Sequence, residues 1–225
     1  MIRWLFENTV RPAQLALRER VSLRIDRKLN VRTTDEVIAE QLGVDIGVFR
    51  NTQRALGWSG AVRLVRRMDL RPSDVLLDIG CGAGRILCAA ARTPVRRVIG
   101  LDIDPKIAAI ARENARHLQG RQAEIEVVEG NALSYEIPDD VTVVFLYNPF
   151  GGEVFSSVLK RLIEAADRAP RQLHLVYAHP FEHERVMQLK RFIPGKRLSL
   201  GWRPGKKWAV KLAVQFYRLQ GRKEA

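Results

Sequence analysis

Residues 75–86, VLLDIGCGAGRI, place one carboxylate, Asp78, two residues ahead of three glycines at alternate positions, Gly80, Gly82 and Gly84. Glycine at the end of an apolar run lets the backbone turn with positive φ and leaves no Cβ between peptide and ligand. A ligand held there touches main chain. A dinucleotide fingerprint is spaced G-x-G-x-x-G so that a pyrophosphate lands on a helix N-terminus. Here the spacing is G-x-G-x-G, and a carboxylate aimed into the pocket repels a pyrophosphate and attracts an ammonium group. The near end of the ligand is therefore expected to be cationic, which speaks against a nicotinamide-dependent oxidoreductase. An ordinary strand-to-helix turn is the bland alternative.

Other residues of chemical interest follow in order. Asp102 stands in VIGLDIDP, with a solvated loop acid as its alternative, and Asn131 stands in VVEGNAL, with a turn-forming asparagine as its alternative. The segment FLYNPFGGEVF brings Tyr147, Asn148, Pro149 and Phe150 together, or is a mere strand exit with no catalytic residue. In HPFEH, His179 and His183 are at i, i+4 spacing, but the glutamate does not directly follow the first histidine as a zinc protease requires. They read as polar residues at the mouth of a strand, and no metal is expected. Cys81 reads as a small buried filler of the loop, and Cys88 lies too close to it for a structural disulfide.

The elements that must position these residues change character near Pro72. Before it, WLFENTV, LALRERVSLRI and DEVIAEQL have the mixed three and four spacing of short amphipathic helices, with Thr33 or Thr34 as an N-cap for the last. After it, the apolar runs VLLDIG, VRRVIGLD, AEIEVVEG, VTVVFLYN and RQLHLVYA alternate with GRILCAAART, PKIAAIARENARHLQ and EVFSSVLKRLIEAADRA, which have helical periodicity. Alternation of this kind predicts an α/β fold with a parallel sheet covered on both faces. The closing GKRLSLGW, RPGK and KWAVKLAVQFYRL read as two strands joined by a Pro-Gly turn. The expected organisation is a helical extension or lid over residues 1–70 and a sheet domain over 71–225, with residues 48–70 at the entrance to the cleft.

The segment DIGCGAG resembles the first motif of the class I S-adenosylmethionine-dependent methyltransferases, D/E-x-G-x-G-x-G, at every fixed position. The resemblance covers about residues 71–217. It implies a Rossmann-like sheet of about seven strands, mostly parallel with a C-terminal antiparallel hairpin, and S-adenosyl-L-methionine as cofactor. It also implies that Asp78, Gly80, Cys81, Gly82 and Gly84 line the cofactor, that Asp102 accepts both ribose hydroxyls, and that Ile103 packs on adenine. Asn131 stands where the family usually has an aspartate reading the adenine amino group, and Ala132 would offer its backbone N–H to the ring. Asn148, Pro149 and Phe150 are similar to the Asn/Asp-Pro-Pro-aromatic motif of members that methylate a planar nitrogen, with the second proline missing. Asn148 would border the cofactor as well, and Phe150 would stack on the acceptor or cover the cofactor. Whole-chain similarity extends to uncharacterised bacterial methyltransferases and, more distantly, to the Dot1-like protein lysine methyltransferases.

The function expected from the resemblance is in-line N-methylation of a protein or nucleic-acid acceptor. A small-molecule methyltransferase is one alternative, and an inactive module holding RNA or an anionic membrane is another. The formal charge of +13 marks a surface that attracts polyanions. Cations gather in residues 11–32 and again from Lys190 through Lys223, although arginine-rich solvated faces are the bland account. Residues 1–32, with Trp4, Leu5 and Phe6 near the front, fit a helix lying on an anionic membrane or packed on its own domain. Charges at Arg3 and Glu7 interrupt what a signal peptide would need as its apolar core, and a cytoplasmic location is expected.

Overall fold

The computed structural model describes residues 11–34, 56–200 and 212–221. Helices expected in WLFENTV and DEVIAEQL, the Trp4–Phe6 front, residues 48–55 of the entrance and the Pro-Gly turn at 204–205 all lie outside the described residues.

Five Val-, Ile- and Leu-rich runs become parallel strands: β1 (Val75–Ile79), β2 (Arg97–Asp102), β3 (Glu124–Glu129), β4 (Val143–Tyr147) and β5 (Leu173–Ala178). The C-terminal strands β6 (Phe192–Leu200) and β7 (Leu212–Leu219) join antiparallel, giving the order β3-β2-β1-β4-β5-β7-β6. The strand order reverses between β1 and β4, and a crevice opens beyond the carboxyl ends of those strands. Every residue of β1 is buried, as a strand covered on both faces must be.

Alternation along the strands sorts the core into two layers. Leu76, Val98, Phe145 and Val176 face α2 (Trp58–Met68) and α3 (Arg85–Ala90), whose Leu64, Val65, Ile86 and Leu87 share their cluster. Val75, Leu77, Val144 and Leu146 face α5 (Gly152–Arg168), which offers a stripe of Phe155, Val158, Leu159, Leu162 and Ala166. Asp78, two residues beyond Leu76, belongs to the first layer. Helix α4 (Pro105–His117) starts where Asp104 accepts hydrogen bonds from the N–H groups of Lys106 and Ile107, at 2.8 and 3.2 Å. A cap of this kind contributes about 1 kcal/mol.

Residues on both sides of position 70 share the first layer: Leu29, at the end of α1 (Arg11–Leu29), and Val31 and Trp58 pack in the same cluster as Leu76 and Leu87. Thr33 and Thr34 give both hydroxyls to Asp26. Among the described residues no helix is long and apolar enough to cross a membrane.

Three boundaries differ from those the sequence predicts. Helix α3 spans six residues of GRILCAAART, because Thr93 closes on the Ala90 carbonyl through its N–H and hydroxyl, at 2.9 and 2.7 Å. Strand β6 begins at Phe192, before GKRLSLGW, and carries Pro194 beside an irregularity in its pairing with β7. An edge strand tolerates proline because the missing N–H faces no partner. HPFEHERV contributes a further short helix, α6 (His183–Gln188), which periodicity over so few residues does not reveal.

Candidate active site

The glycine loop joins β1 to α3 and is built from backbone. Gly80, Gly82 and Gly84 have φ of +78°, +56° and +80°, a region that a side chain makes costly. The Gly80 and Cys81 N–H groups donate to the Leu101 carbonyl at 2.7 and 3.1 Å, and Gly82 N–H donates to Asp102 Oδ2 at 2.8 Å. The end of β2 thus holds the loop open. A Cβ on Gly80 would lie 2.7 Å from the Pro149 Cβ, so the end of β4 closes directly on the loop. A Cβ on Gly82 would meet nothing within 4 Å. Cys81 is buried, and a Cβ on Gly100 would come within 2.9 Å of its Sγ. Burial, then the charges of Asp78 and Asp102, push its thiol well up, so it packs and does not react.

Asp78 is 2% exposed, and among the described residues no group donates a hydrogen bond to it. Burial first, and the neighbouring Asp102 second, hold its carboxyl well above the usual carboxylate range. A buried carboxylate to which no described residue donates, beside bare peptide, suits a ligand cation. Asp102 is half-buried and already accepts from Gly82 N–H and, through Oδ1, from Asp104 N–H at 3.1 Å. Each carboxylate oxygen keeps a further lone pair for a hydroxyl donor.

Beyond β2 and β3 two apolar side chains stand in the open: Ile103, 68% exposed, and Leu133, 39% exposed. Unpartnered apolar surface here suits a flat ligand face. Asn131 is exposed and turns inward on its own loop, its Oδ1 accepting the Leu133 N–H at 2.9 Å and its carbonyl accepting from Ser134 and Tyr135. Ala132 is half-buried against the α5 layer. The carboxylate acceptors of Asp78 and Asp102, the bare peptide of the glycine loop and the apolar face of Ile103 therefore fit an amino-acid-tailed nucleoside such as S-adenosylmethionine.

On the other side of the loop, Asn148 is exposed and takes the left-handed conformation, φ +47°, which asparagine tolerates better than most residues. The Tyr177 hydroxyl donates to Asn148 Oδ1 at 3.3 Å and accepts the Glu182 N–H at 3.4 Å. Tyr177 is buried, and that burial raises its phenol, which keeps it a donor. Pro149 is exposed above Gly80, whereas Phe150 is half-buried in the α5 layer, 6.5 Å from the Phe155 ring.

The open aromatic surface lies elsewhere. Tyr147 stacks on His179 with centroids 5.5 Å apart, and His179 stacks on Phe181 at 5.6 Å, the planes within 10° and 5°. Phe181 ends this tier and is 74% exposed. His183 Nδ1 is 2.6 Å from the Tyr217 hydroxyl. Sequence reasoning passed over Tyr177, Leu133 and the ring tier; the available signal was alternate ring-bearing positions, His179 and Phe181, just past an apolar run.

Known proteins share parts of this sequence and its fold. Residues 76–178 match the family described as "Methyltransferase domain". A ribosomal protein L11 methyltransferase of Thiobacillus denitrificans is 39% identical over 74 residues, covering 33% of this chain and 23% of that protein. A dimethyladenosine transferase of Yarrowia lipolytica is 29% identical over 145 residues, covering 63% of this chain and 41% of that protein. The chain thus spans less than half the length of these curated relatives. An RNA methyltransferase from Salinibacter ruber, solved with S-adenosyl-L-homocysteine, superposes with a TM-score of 0.54 at 24% identity, covering 76% of this chain and 96% of that one. At that identity the likeness speaks for the fold.

Proposed function

We propose that the chain is a class I S-adenosylmethionine-dependent methyltransferase and that it N-methylates a protein or nucleic-acid acceptor. The observation that carries the reading is Asp78, a buried carboxylate without a described donor beside three positive-φ glycines. When bound, the cofactor supplies a methyl group already activated by its sulfonium. The work left to the protein is placement, which by itself can account for much of a displacement's rate.

Asp78 receives the ammonium, Asp102 the ribose hydroxyls and Ile103 one face of the base. Asn148 Oδ1, aimed by the Tyr177 hydroxyl, accepts a hydrogen bond from the acceptor N–H and orients the nitrogen. Tyr147, His179 and Phe181 give a flat acceptor a surface to stack on. Support for a macromolecular acceptor comes from relatives named for ribosomal protein L11, dimethyladenosine and RNA, and from the charge of +13. Those relatives lend no support to the Dot1-like likeness. Contact of residues 1–32 with an anionic membrane is a second reading, favoured by the exposure of Leu17 and Val21 on the basic helix α1.

The test is titration with S-adenosylhomocysteine in a calorimeter, then transfer of labelled methyl into fractionated lysate with Asp78→Asn as control. Label in protein or RNA is expected. No binding refutes the enzyme reading, label only in small metabolites refutes the acceptor class, and label only in lipid promotes the second reading.

A further inference from the structure

Behind the glycine loop, on the side away from the crevice, lies a set of buried polar contacts that none of the roles above uses. Asn114, on α4, is 3% exposed. Its Nδ2 donates to the Ala83 carbonyl, in the middle of the loop, at 2.9 Å and to the Arg32 carbonyl at 2.9 Å; its Oδ1 accepts the Arg32 N–H at 2.6 Å. Both amide hydrogens are committed, one to the loop and one to the N-terminal segment. Arg85, directly after Gly84 and 7% exposed, donates to Thr33 Oγ1 at 2.9 Å and to the Thr33 carbonyl. Thr33 and Thr34 are themselves fastened to Asp26, 4% exposed, which accepts their two N–H groups, their two hydroxyls and Trp58 Nε1 at 2.6–2.8 Å.

Residues 30–34 thus form a strap seated on the back of the loop, and each end of the loop's turn into α3 has its own tie to it. Front and back tethers differ in origin. Asp102 holds Gly82 from the sheet and Asn114 holds Ala83 from α4, while Asn114 and Arg85 are both tied to a segment more than forty residues upstream of the loop. Peptide groups that must meet a ligand at hydrogen-bond distance lose affinity when their support loosens.

We propose that Asn114 is a positioning residue for the cofactor, coupling the strap at residues 30–34 to the glycine loop so that cofactor binding and strap ordering reinforce each other. The inference rests on the cofactor reading above and assigns the N-terminal segment a part in cofactor affinity. Because coupling is reciprocal, S-adenosylhomocysteine must protect the strap by the same factor by which the strap tightens the ligand.

The experiment uses the full chain, with amide hydrogen exchange at Thr33 and Thr34 followed as S-adenosylhomocysteine is added, and with calorimetric Kd and Tm for each variant. In the unaltered protein, slowed exchange at both amides is expected. Asn114→Ala is expected to weaken the Kd about tenfold, the equivalent of one net hydrogen bond, and to abolish the ligand-dependent protection. Thr33→Val, which keeps the volume, is the second variant should Asn114→Ala fail to fold, and is expected to weaken the Kd severalfold. Leu162→Ala, in the opposite layer, lowers Tm without changing Kd or the protection.

If the unaltered protein binds the ligand while exchange at residues 33 and 34 is unmoved, the proposal is overturned. It is equally overturned if the strap variants lose Tm only, as Leu162→Ala does. Failure of the unaltered protein to bind at all refutes the cofactor reading instead, and the two failures are thereby distinct.

Discussion

Asp78→Asn separates stability from binding in opposite directions. In the free protein the carboxylate is 2% exposed, has no hydrogen-bond donor among the described residues, and faces the like charge of Asp102. A buried acceptor left unsatisfied costs about 1–3 kcal/mol, and more when charged. The amide keeps the shape and stays neutral without having to hold a proton that the unfolded chain loses. At about 2–4 °C per kcal/mol for a chain of this size, the ligand-free Tm is expected to rise by roughly 2–12 °C. Affinity moves the other way. A hydrogen bond to a charged group is worth about 1.5–3 kcal/mol, so the Kd for S-adenosylhomocysteine should weaken roughly 10- to 150-fold. Differential scanning calorimetry with and without ligand reads both effects. A variant that melts lower than the parent, yet keeps the full ligand-induced rise in Tm, would refute the assignment of Asp78 as the ammonium site.

The same carboxyl sets a pH dependence. Its folded pKa is raised, so the ligand-free native state holds a proton that the unfolded chain has lost, and stability falls as pH rises from the ordinary carboxylate range through the raised value. Cofactor affinity rises over that same window, because pairing with an ammonium needs the charged form; calorimetry as a function of pH checks both slopes, and Asp78→Asn should flatten them. Gly80→Ala suffers a positive φ together with a Cβ 2.7 Å from Pro149, whereas Gly82→Ala suffers the φ alone. Urea unfolding should show the larger loss at Gly80, of order 1–3 kcal/mol, while ligand binding should suffer at both positions. Phe181→Ala, at a side chain 74% exposed, should change stability by no more than about 0.5 kcal/mol. If the acceptor is a planar base, its KM should rise roughly 5- to 150-fold, as stacking of about 1–3 kcal/mol implies, with the cofactor Kd unchanged; an unchanged acceptor KM would remove the ring tier from the site.

Legibility differed between the two halves of the site for a physical reason. The cofactor half is made by contiguous residues: a strand end, three glycines and an acid twenty-four positions after Asp78 at the next strand end, all local geometry that period-two runs and glycine spacing announce. The proposed acceptor half is assembled at the ends of β4 and β5 from side chains that no glycine spacing or fixed motif announces. Nothing in NPFGG says that Phe150 turns into the α5 layer; that follows from the space beside Phe155. Nor does HPFEH say that His179 sits between Tyr147 and Phe181, since that contact exists because β5 pairs with β4 in a register opposing Tyr147 to Ala178.

By itself the order of residues determined the alternating α/β pattern, the main-chain loop behind Asp78, and the acid at Asp102, because each depends on near neighbours and on the intrinsic preferences of glycine and of apolar strands. Only the tertiary structure decided that Asp78 is buried and left without a described donor. It alone decided that the Tyr177 hydroxyl meets Asn148 Oδ1, and that the backbone at Arg32 is linked to Ala83 through Asn114. Burial and long-range hydrogen bonds belong to the packed layers, and no run of consecutive residues contains them.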